Sequence, residues 1–168
     1  GGNILSKTVT SRGDIAQAKA EAAYTAHGVY QTQMIEHGFM EPECAIAYPG
    51  TTASAKIVVL SQGQGVFEDR TQIAKILGLP QEQVRVILVS NGGAFGGKED
   101  LSVQGHAALF AHYLQRPVKV RLTRDESILM HPKRHPIWME YTIGCDAQGR
   151  LTFCQAEFVG DTGAYASV

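Results

Sequence analysis

Eight residues near the middle of the chain, Gly92-Gly93-Ala94-Phe95-Gly96-Gly97-Lys98-Glu99, constrain its fold more than any other segment. They follow a run of β-branched residues at 84–89 and precede an amphipathic run at 103–114 that ends before Pro117. This order predicts a buried strand, a loop and a helix. Glycines allow positive φ angles and let backbone N–H groups approach a bulky anionic ligand. The segment therefore predicts a ligand-binding loop.

The composition restricts the class of protein that carries this loop. The chain has 168 residues, of which 44% are hydrophobic, with 15 basic and 16 acidic side chains. We expect a folded domain that acts on a small molecule, with no nucleic-acid or membrane partner. Three cysteines without C-x-x-C spacing argue against disulfides or a cluster held by this chain, and indicate a reducing, cytoplasmic location. Because the chain begins with Gly1-Gly2, we expect its boundaries to be artificial, and we treat residues 1–168 as one fragment of a domain.

The remaining pattern predicts an α/β (mixed α+β) fold, with a mixed β-sheet and flanking helices. An alanine-rich helix is expected at 15–26, and a second helix, capped by Asp69, is expected to end at Gly78. Residues 40–52 are expected to form a long loop, and Arg124-Asp125-Glu126 a solvated charge run or a local ion-pair network. Strands are predicted at 56–60, 84–89 and 118–122, and a hairpin at 137–143 and 151–159.

A nucleotide phosphate loop is one interpretation of the glycine segment, since Gly92 to Lys98 match G-x-x-x-x-G-K. The next residue, however, is Glu99 instead of the Ser or Thr that ligates Mg²⁺. At an effective dielectric constant of ~20, like charges ~4 Å apart repel by about 4 kcal/mol, so this carboxylate disfavours phosphate binding. A second interpretation is a simple tight turn with Phe95 packed into the core. His37, Glu41 and Glu43 also suggest a metal cluster, although a turn leading into a strand is favoured over it.

Four segments resemble, in order, the large molybdenum-cofactor-binding subunit of the xanthine dehydrogenase/aldehyde oxidase family. The resemblance covers the chain from about residue 29 to its end. Together the segments are more specific than any one of them. They are Glu36-His37-Gly38-Phe39-Met40-Glu41-Pro42, then Ser61-Gln62-Gly63-Gln64-Gly65 with Leu77-Gly78-Leu79-Pro80, then the glycine loop, and last Arg116-Pro117-Val118-Lys119 through Arg134-His135-Pro136.

The resemblance implies roles for individual residues. Gln64 is expected to hydrogen-bond an oxygen ligand of molybdenum, with Gln62 as the alternative one strand step away. Phe95 is expected beside the metal through the backbone, without direct side-chain ligation, and the Gly96 amide is expected to face the cofactor. Glu99 is expected to contact the substrate. The predicted cofactor-binding residues are Gln64, Gly93, Ala94, Phe95, Gly96 and Gly97.

The resemblance also implies an activity and its partners. It implies an oxidoreductase, a molybdenum hydroxylase that hydroxylates a purine or related N-heterocycle with water as the oxygen source. An aldehyde oxidase is the alternative, because Ala94 departs from the glycine of many purine oxidases. The family's catalytic base lies outside this sequence, so we expect the fragment alone to be inactive. Expected partners are the rest of the molybdenum subunit and modules carrying 2Fe-2S clusters and FAD. The dinucleotide form of the pterin is left open, and the cytosine dinucleotide is one option.

Overall fold

The computed structural model describes residues 2–52 and 54–163. They form two compact units, one comprising residues up to 33 together with 136–161, the other residues 34–135. Helices are interspersed among the strands along the chain, so the predicted mixed α/β class is confirmed. The elements are α1 (Ile15–Glu21), β1 (Tyr24–Gln31), β2 (Cys44–Thr52), β3 (Ala55–Ser61), α2 (Val66–Leu77), β4 (Val84–Leu88), α3 (Val103–Leu114), β5 (Val118–Arg121), α4 (Arg124–Met130), β6 (Ile137–Cys145) and β7 (Leu151–Gly160), with a short 3₁₀ helix at Gln81–Gln83.

The first unit is an antiparallel sheet of order β1-β6-β7 with α1 beside it. The predicted cap of α1 is confirmed, because the Asp14 carboxylate accepts a hydrogen bond of 2.9 Å from the Gln17 N–H. The predicted extension of this helix to residue 26 is wrong. Tyr24 already pairs with Cys145 as the first residue of β1, so strand pairing overrides the helix propensity of the alanines.

The second unit contains a four-stranded sheet of order β4-β3-β2-β5. β3 and β4 are parallel and are joined by α2, whereas β2 is antiparallel to both of its neighbours. The prediction of a long loop over 40–52 is wrong, since β2 occupies 44–52 at the centre of this sheet. Pro49 and Gly50 resemble a turn in the sequence, but they lie toward the end of the strand, where its register with β3 shifts.

The two longest helices pack on this sheet and form the core with it. α3 begins at Val103 as predicted, but α2 begins at Val66, so the expected cap by Asp69 is wrong. Asp69 is a buried residue within the helix. Gly78 ends α2 with a left-handed φ of 64°, as expected for a C-terminal glycine. The core residues are Ala45, Ala47, Ile57, Val59, Ile73, Ala74, Val84, Val103, Ala107, Ala108 and Ala111.

The residues Arg124-Asp125-Glu126, predicted as a charge run, form the first turn of α4, where Asp125 and Glu126 are exposed to solvent. Thr123 and Glu126 cap this helix reciprocally, each side chain bonding the other residue's backbone N–H. None of the helices within residues 2–52 and 54–163 is long and apolar enough to cross a membrane.

Truncation of Ile73 tests the importance of the core in the second unit. Ile73 is fully buried, whereas Ile76 on the same helix is 47% exposed. We expect Ile73→Ala to lower the free energy of unfolding by about 2–5 kcal/mol through the cavity it leaves. Ile76→Ala is the matched control and should cost less than about 1 kcal/mol. Urea unfolding of both variants checks this, and equal losses would contradict the assigned core.

Candidate functional site

The strand directions of the second unit bring distant segments to one edge of its sheet. Because β3 and β4 are parallel, the segments that follow Ser61 and Leu88 leave the sheet at the same edge. Antiparallel pairing places the start of β2 and the end of β5 at that edge as well. Residues 36–43, 62–65, 91–99 and 122–135 therefore meet there, and we call this region the loop edge.

Gln64 connects two of these segments. Its Oε1 accepts hydrogen bonds from the backbone N–H groups of Gly96 (3.0 Å) and Lys98 (3.3 Å). Its own N–H donates to the Lys98 carbonyl at 2.9 Å. Two N–H donors fix which amide atom is the oxygen, so the Nε2 group points away from them. Among the described residues no hydrogen bond involves that Nε2, so it is an oriented donor on an exposed side chain.

The glycine loop contains several positive φ angles and is closely packed. Gly93, Phe95 and Gly96 all have positive φ angles, of 95°, 53° and 91°. At Gly97 a Cβ would lie 2.8 Å from the Phe39 ring and 2.9 Å from the His37 ring, which requires glycine there. Phe95 is 65% exposed, so the interpretation of a tight turn with this ring in the core is wrong. The Phe95 carbonyl accepts a hydrogen bond of 3.3 Å from Arg134.

Lys98 points inward. Its side chain is buried, Nζ donates to Gln62 Oε1 at 2.6 Å, and Nζ lies 4.6 Å from the centroid of the Phe39 ring. Gln62 is fully engaged, since its Nε2 donates to the Pro42 carbonyl at 3.2 Å. Burial lowers the pKa of Lys98, while Glu41 and Glu43 oppose this. A phosphate-loop lysine must reach its ligand, so this orientation disfavours nucleotide binding.

A second buried network lies under the loop edge. The His131 ring is buried between two carboxylates, with Nε2 2.8 Å from Glu36 Oε1 and Nδ1 3.3 Å from Glu43 Oε1. Lys133 Nζ lies 3.1 Å from the other Glu36 oxygen. Burial raises the pKa of Glu36, but bonds from the Gly38 N–H, Lys133 and His131 outweigh it and lower the value to about 2. Glu36 therefore stays ionised as the common acceptor of this network.

Glu36, His37 and His131 also form a group that could hold a metal ion, since their ligand atoms lie within 4.8 Å of one another. This set differs from the His37, Glu41 and Glu43 cluster considered from the sequence. Burial and the charges of His131 and Arg134 lower the pKa of His37. The Lys133 ammonium already neutralises Glu36 and would repel a divalent cation placed beside it. We therefore interpret the group as an internal ion-pair network that supports the loop.

Asp69 anchors the beginning of the Gln62–Gly65 segment. Ser61 Oγ donates to Asp69 Oδ2 at 2.7 Å and accepts from the Gly63 N–H at 3.0 Å. Gln104 of α3 donates to Ser61 Oγ at 3.2 Å. Burial raises the pKa of Asp69 to about 6, and its bond from Ser61 opposes the rise. These buried bonds fix the point where β3 ends and the site segment begins.

Comparison with known proteins identifies the family. The model of the molybdopterin cofactor-binding domain matches residues 1–168. The chain belongs to this family. It is 39% identical over 155 residues to the nicotinate dehydrogenase large molybdopterin subunit of Eubacterium barkeri, covering 92% of this chain and 36% of that protein. It is 33% identical over 168 residues to the xanthine dehydrogenase molybdenum-binding subunit of Escherichia coli, covering 99% and 22%.

A solved structure agrees with the family assignment. Aldehyde oxidoreductase from Desulfovibrio gigas superposes with a TM-score of 0.73 at 27% identity, covering 88% of this chain and 16% of that one. The predicted resemblance to the molybdenum-binding subunits of the xanthine dehydrogenase/aldehyde oxidase family is thus confirmed. The chain spans about a third or less of the relatives named above.

The structure brings most of the predicted molybdopterin-site residues together, but their roles remain predictions. Gln64 contacts the glycine loop, and the Gly96 N–H expected to face the cofactor donates instead to Gln64. Glu99 is exposed at the end of the loop. Sequence reasoning missed the inward Lys98 and the His131 network. Their partners lie 36 and 95 residues away, and no local pattern encodes such contacts.

Neutralising Asp69 tests the anchor of this molybdopterin-binding segment. A folded-state pKa of about 6, raised from 3.8, favours the protonated carboxyl in the fold. The resulting stability is present below pH 3.8 and is lost as the pH rises through about 6. Asp69→Asn keeps an acceptor for Ser61 without the charge. It should therefore exceed the wild type in unfolding free energy at pH 7.5, by up to about 3 kcal/mol, and match it near pH 4.

Urea unfolding at both pH values is the measurement, with the exposed Asp125→Asn variant as control. That control should change stability by less than about 1 kcal/mol at either pH. An Asp69→Asn variant less stable than the wild type at pH 7.5 would mean that the ionised carboxylate stabilises the fold.

Proposed function

We propose that the loop edge forms part of the molybdenum-cofactor pocket of a hydroxylase that oxidises a purine or related N-heterocycle. The observation that carries this proposal is the oriented carboxamide of Gln64. Its oxygen is held by two N–H groups of the glycine loop, which leaves Nε2 to donate to an oxygen ligand of the metal. When bound, the cofactor supplies the two-electron oxidation of a substrate carbon, with water as the source of oxygen.

The residues present fit such a group. A side-chain donor lies beside a loop whose glycines let an anionic ligand approach the backbone. The loop is held from below by the buried Phe39 and Lys98, so its geometry is fixed before the cofactor binds. We assign the backbone of 93–97 to the cofactor surface, with Phe95 beside the metal. Both ends of the Gln62 amide are engaged inside the protein, which supports Gln64 as the glutamine that faces the metal.

Glu99 is the proposed substrate contact. Its carboxylate is exposed directly after the loop and can hydrogen-bond ring nitrogens or exocyclic groups of a heterocycle. Nicotinate and xanthine, named for two of the relatives, are both N-heterocycles, which supports this substrate class. An aldehyde is the second candidate. It is favoured by Ala94 in the loop and by the similarity to an aldehyde oxidoreductase.

The remaining parts of the proposal concern the whole protein. We assign residues 1–168 to a single fragment of the molybdenum-cofactor-binding domain, with the catalytic base in another part of the subunit, so that the fragment alone is inactive. Modules with 2Fe-2S clusters and FAD would receive the electrons, the pterin would carry a dinucleotide such as that of cytosine, and the enzyme would act in the cytoplasm. Elemental analysis of the purified full-length subunit tests the central claim, and a preparation without molybdenum would refute it.

Gln64→Glu tests the role of the carboxamide. The variant keeps an oxygen for the Gly96 and Lys98 N–H groups but replaces the Nε2 donor by a second oxygen. We expect kcat to fall about 100-fold or more in the full-length enzyme, because one preorganised donor is lost. Exposed Gln81→Glu is the control and should leave kcat unchanged. Undiminished kcat in Gln64→Glu would show that this donor has no part in the reaction.

Glu99→Ala tests the substrate class. We expect kcat/KM for an N-heterocyclic substrate to fall about 10- to 100-fold, which corresponds to about 1.5–3 kcal/mol for a hydrogen bond to a charged group. Glu99→Gln should recover part of the loss, and Glu82→Ala at an exposed site should be neutral. If Glu99→Ala leaves N-heterocycle oxidation intact while aldehyde oxidation dominates, the aldehyde candidate replaces this one.

A further inference from the structure

Lys98 anchors the glycine loop in two directions. Its backbone makes two hydrogen bonds with Gln64. The Lys98 N–H donates to Gln64 Oε1, and the Lys98 carbonyl accepts from the Gln64 N–H. Its side chain turns to the other glutamine of the same segment and donates to Gln62 Oε1 at 2.6 Å. One residue of the loop therefore contacts both Gln62 and Gln64, which are only two positions apart.

The residues of the side-chain anchor are all buried. Lys98 and Gln62 are each 4% exposed, and the Phe39 ring beneath the ammonium is 1% exposed. Two further hydrogen bonds hold Gln62 in place. Its side-chain Nε2 donates to the Pro42 carbonyl, and its backbone carbonyl accepts from the Asn91 side chain. A buried cation is costly unless its hydrogen bonds are specific, so this lysine is suited to a position that must not move.

The ammonium is also surrounded by charges from several elements. Glu41 and Glu43 lie in the segment just before β2, and Arg124 begins α4 and lies 5.9 Å from the Phe39 centroid. Glu41 itself accepts a hydrogen bond of 2.6 Å from the Gly92 N–H at the start of the loop. The loop is thereby held at both ends, by Glu41 at Gly92 and by Lys98 after Gly97.

We propose that Lys98 is a positioning residue, which anchors on Gln62 and Phe39 and thereby sets the place of the Gly96 and Lys98 N–H groups that orient the Gln64 carboxamide. The inference rests on the proposed function, since it gives Gln64 its contact with the metal's oxygen ligand. Gln62 serves as the acceptor that holds the lysine. The lysine touches neither cofactor nor substrate, and it acts through the loop.

The test uses the full-length holoenzyme and the variants Lys98→Met and Gln62→Met, which keep the side-chain length but break the bond. We expect each to lose bound molybdenum at least fivefold faster on dialysis, to alter the EPR signal of the reduced metal and to lower kcat about tenfold with little change in KM. The double variant should be no worse than the stronger single variant, because both break one contact. Lys119→Met, at an exposed lysine of β5, is the matched control.

A readout without cofactor separates this inference from the proposed function. Amide hydrogen exchange of residues 93–99 should be faster in Lys98→Met and Gln62→Met than in the wild type, and unchanged in Lys119→Met. Gln62→Glu offers the ammonium a carboxylate instead, and should keep the loop protected even if the methionine variants fold poorly. If the methionine variants exchange faster but the purified wild-type enzyme contains no molybdenum, the proposed function is refuted and the anchoring role of Lys98 still stands.

The inference is overturned if Lys98→Met leaves loop exchange, molybdenum retention and the EPR signal as in the wild type. It is equally overturned if the variant lowers only the melting temperature, because a purely structural lysine would do that without disturbing the metal signal. A double variant whose losses add would show that Lys98 and Gln62 act independently.

Discussion

The parallel pairing of β3 with β4 is the constraint on which the rest of the structure depends. It directs the segments after Ser61 and Leu88 to one edge of the sheet, so that Gln64 meets a loop that lies more than 30 residues later in the chain. The antiparallel β2 and β5 then add the residues before Cys44 and after Arg121 to the same edge. A fully antiparallel arrangement of β3 and β4 would send these two loops to opposite ends of the sheet.

The buried charged groups beneath the loop edge hold the glycine loop in its conformation. A loop with three positive φ angles does not keep this conformation by itself, so contacts with the surrounding protein must stabilise it. Apolar contacts alone give weak directional control, whereas hydrogen bonds to charged groups specify position. Lys98 on Gln62 and His131 on Glu36 supply such bonds. The bond of Lys98 to Gln62 and that of His131 to Glu36 offset part of the cost of burying these groups.

The sequence predicted the elements whose signals are local. α3 with its stop before Pro117, the strands near 84–89 and 118–122, and the hairpin around Gly149 all follow from periodicity and turn residues. β2 was not predicted, because its alternating alanines give only a weak strand pattern and Pro49-Gly50 resembles a turn. Asp69 was misassigned because an acidic residue before a helical pattern usually caps it, whereas here it bonds Ser61 from within the helix. Contacts such as Lys98 with Gln62 could not be predicted, since they depend on the strand order.

The orientation of Lys98 adds to the charge of Glu99 in disfavouring the phosphate-loop interpretation of this motif. In a phosphate loop the lysine must extend toward the ligand, and the glycines serve to expose N–H groups around it. Here the lysine turns away from the loop's outer surface, and one of those N–H groups is used to hold a glutamine. The same string of residue types thus builds an internally anchored platform, whose outward donor is the Gln64 amide instead of the lysine. Because that amide is neutral, the platform suits a ligand recognised by hydrogen bonding more than by charge, which agrees with a metal-bound oxygen better than with a triphosphate.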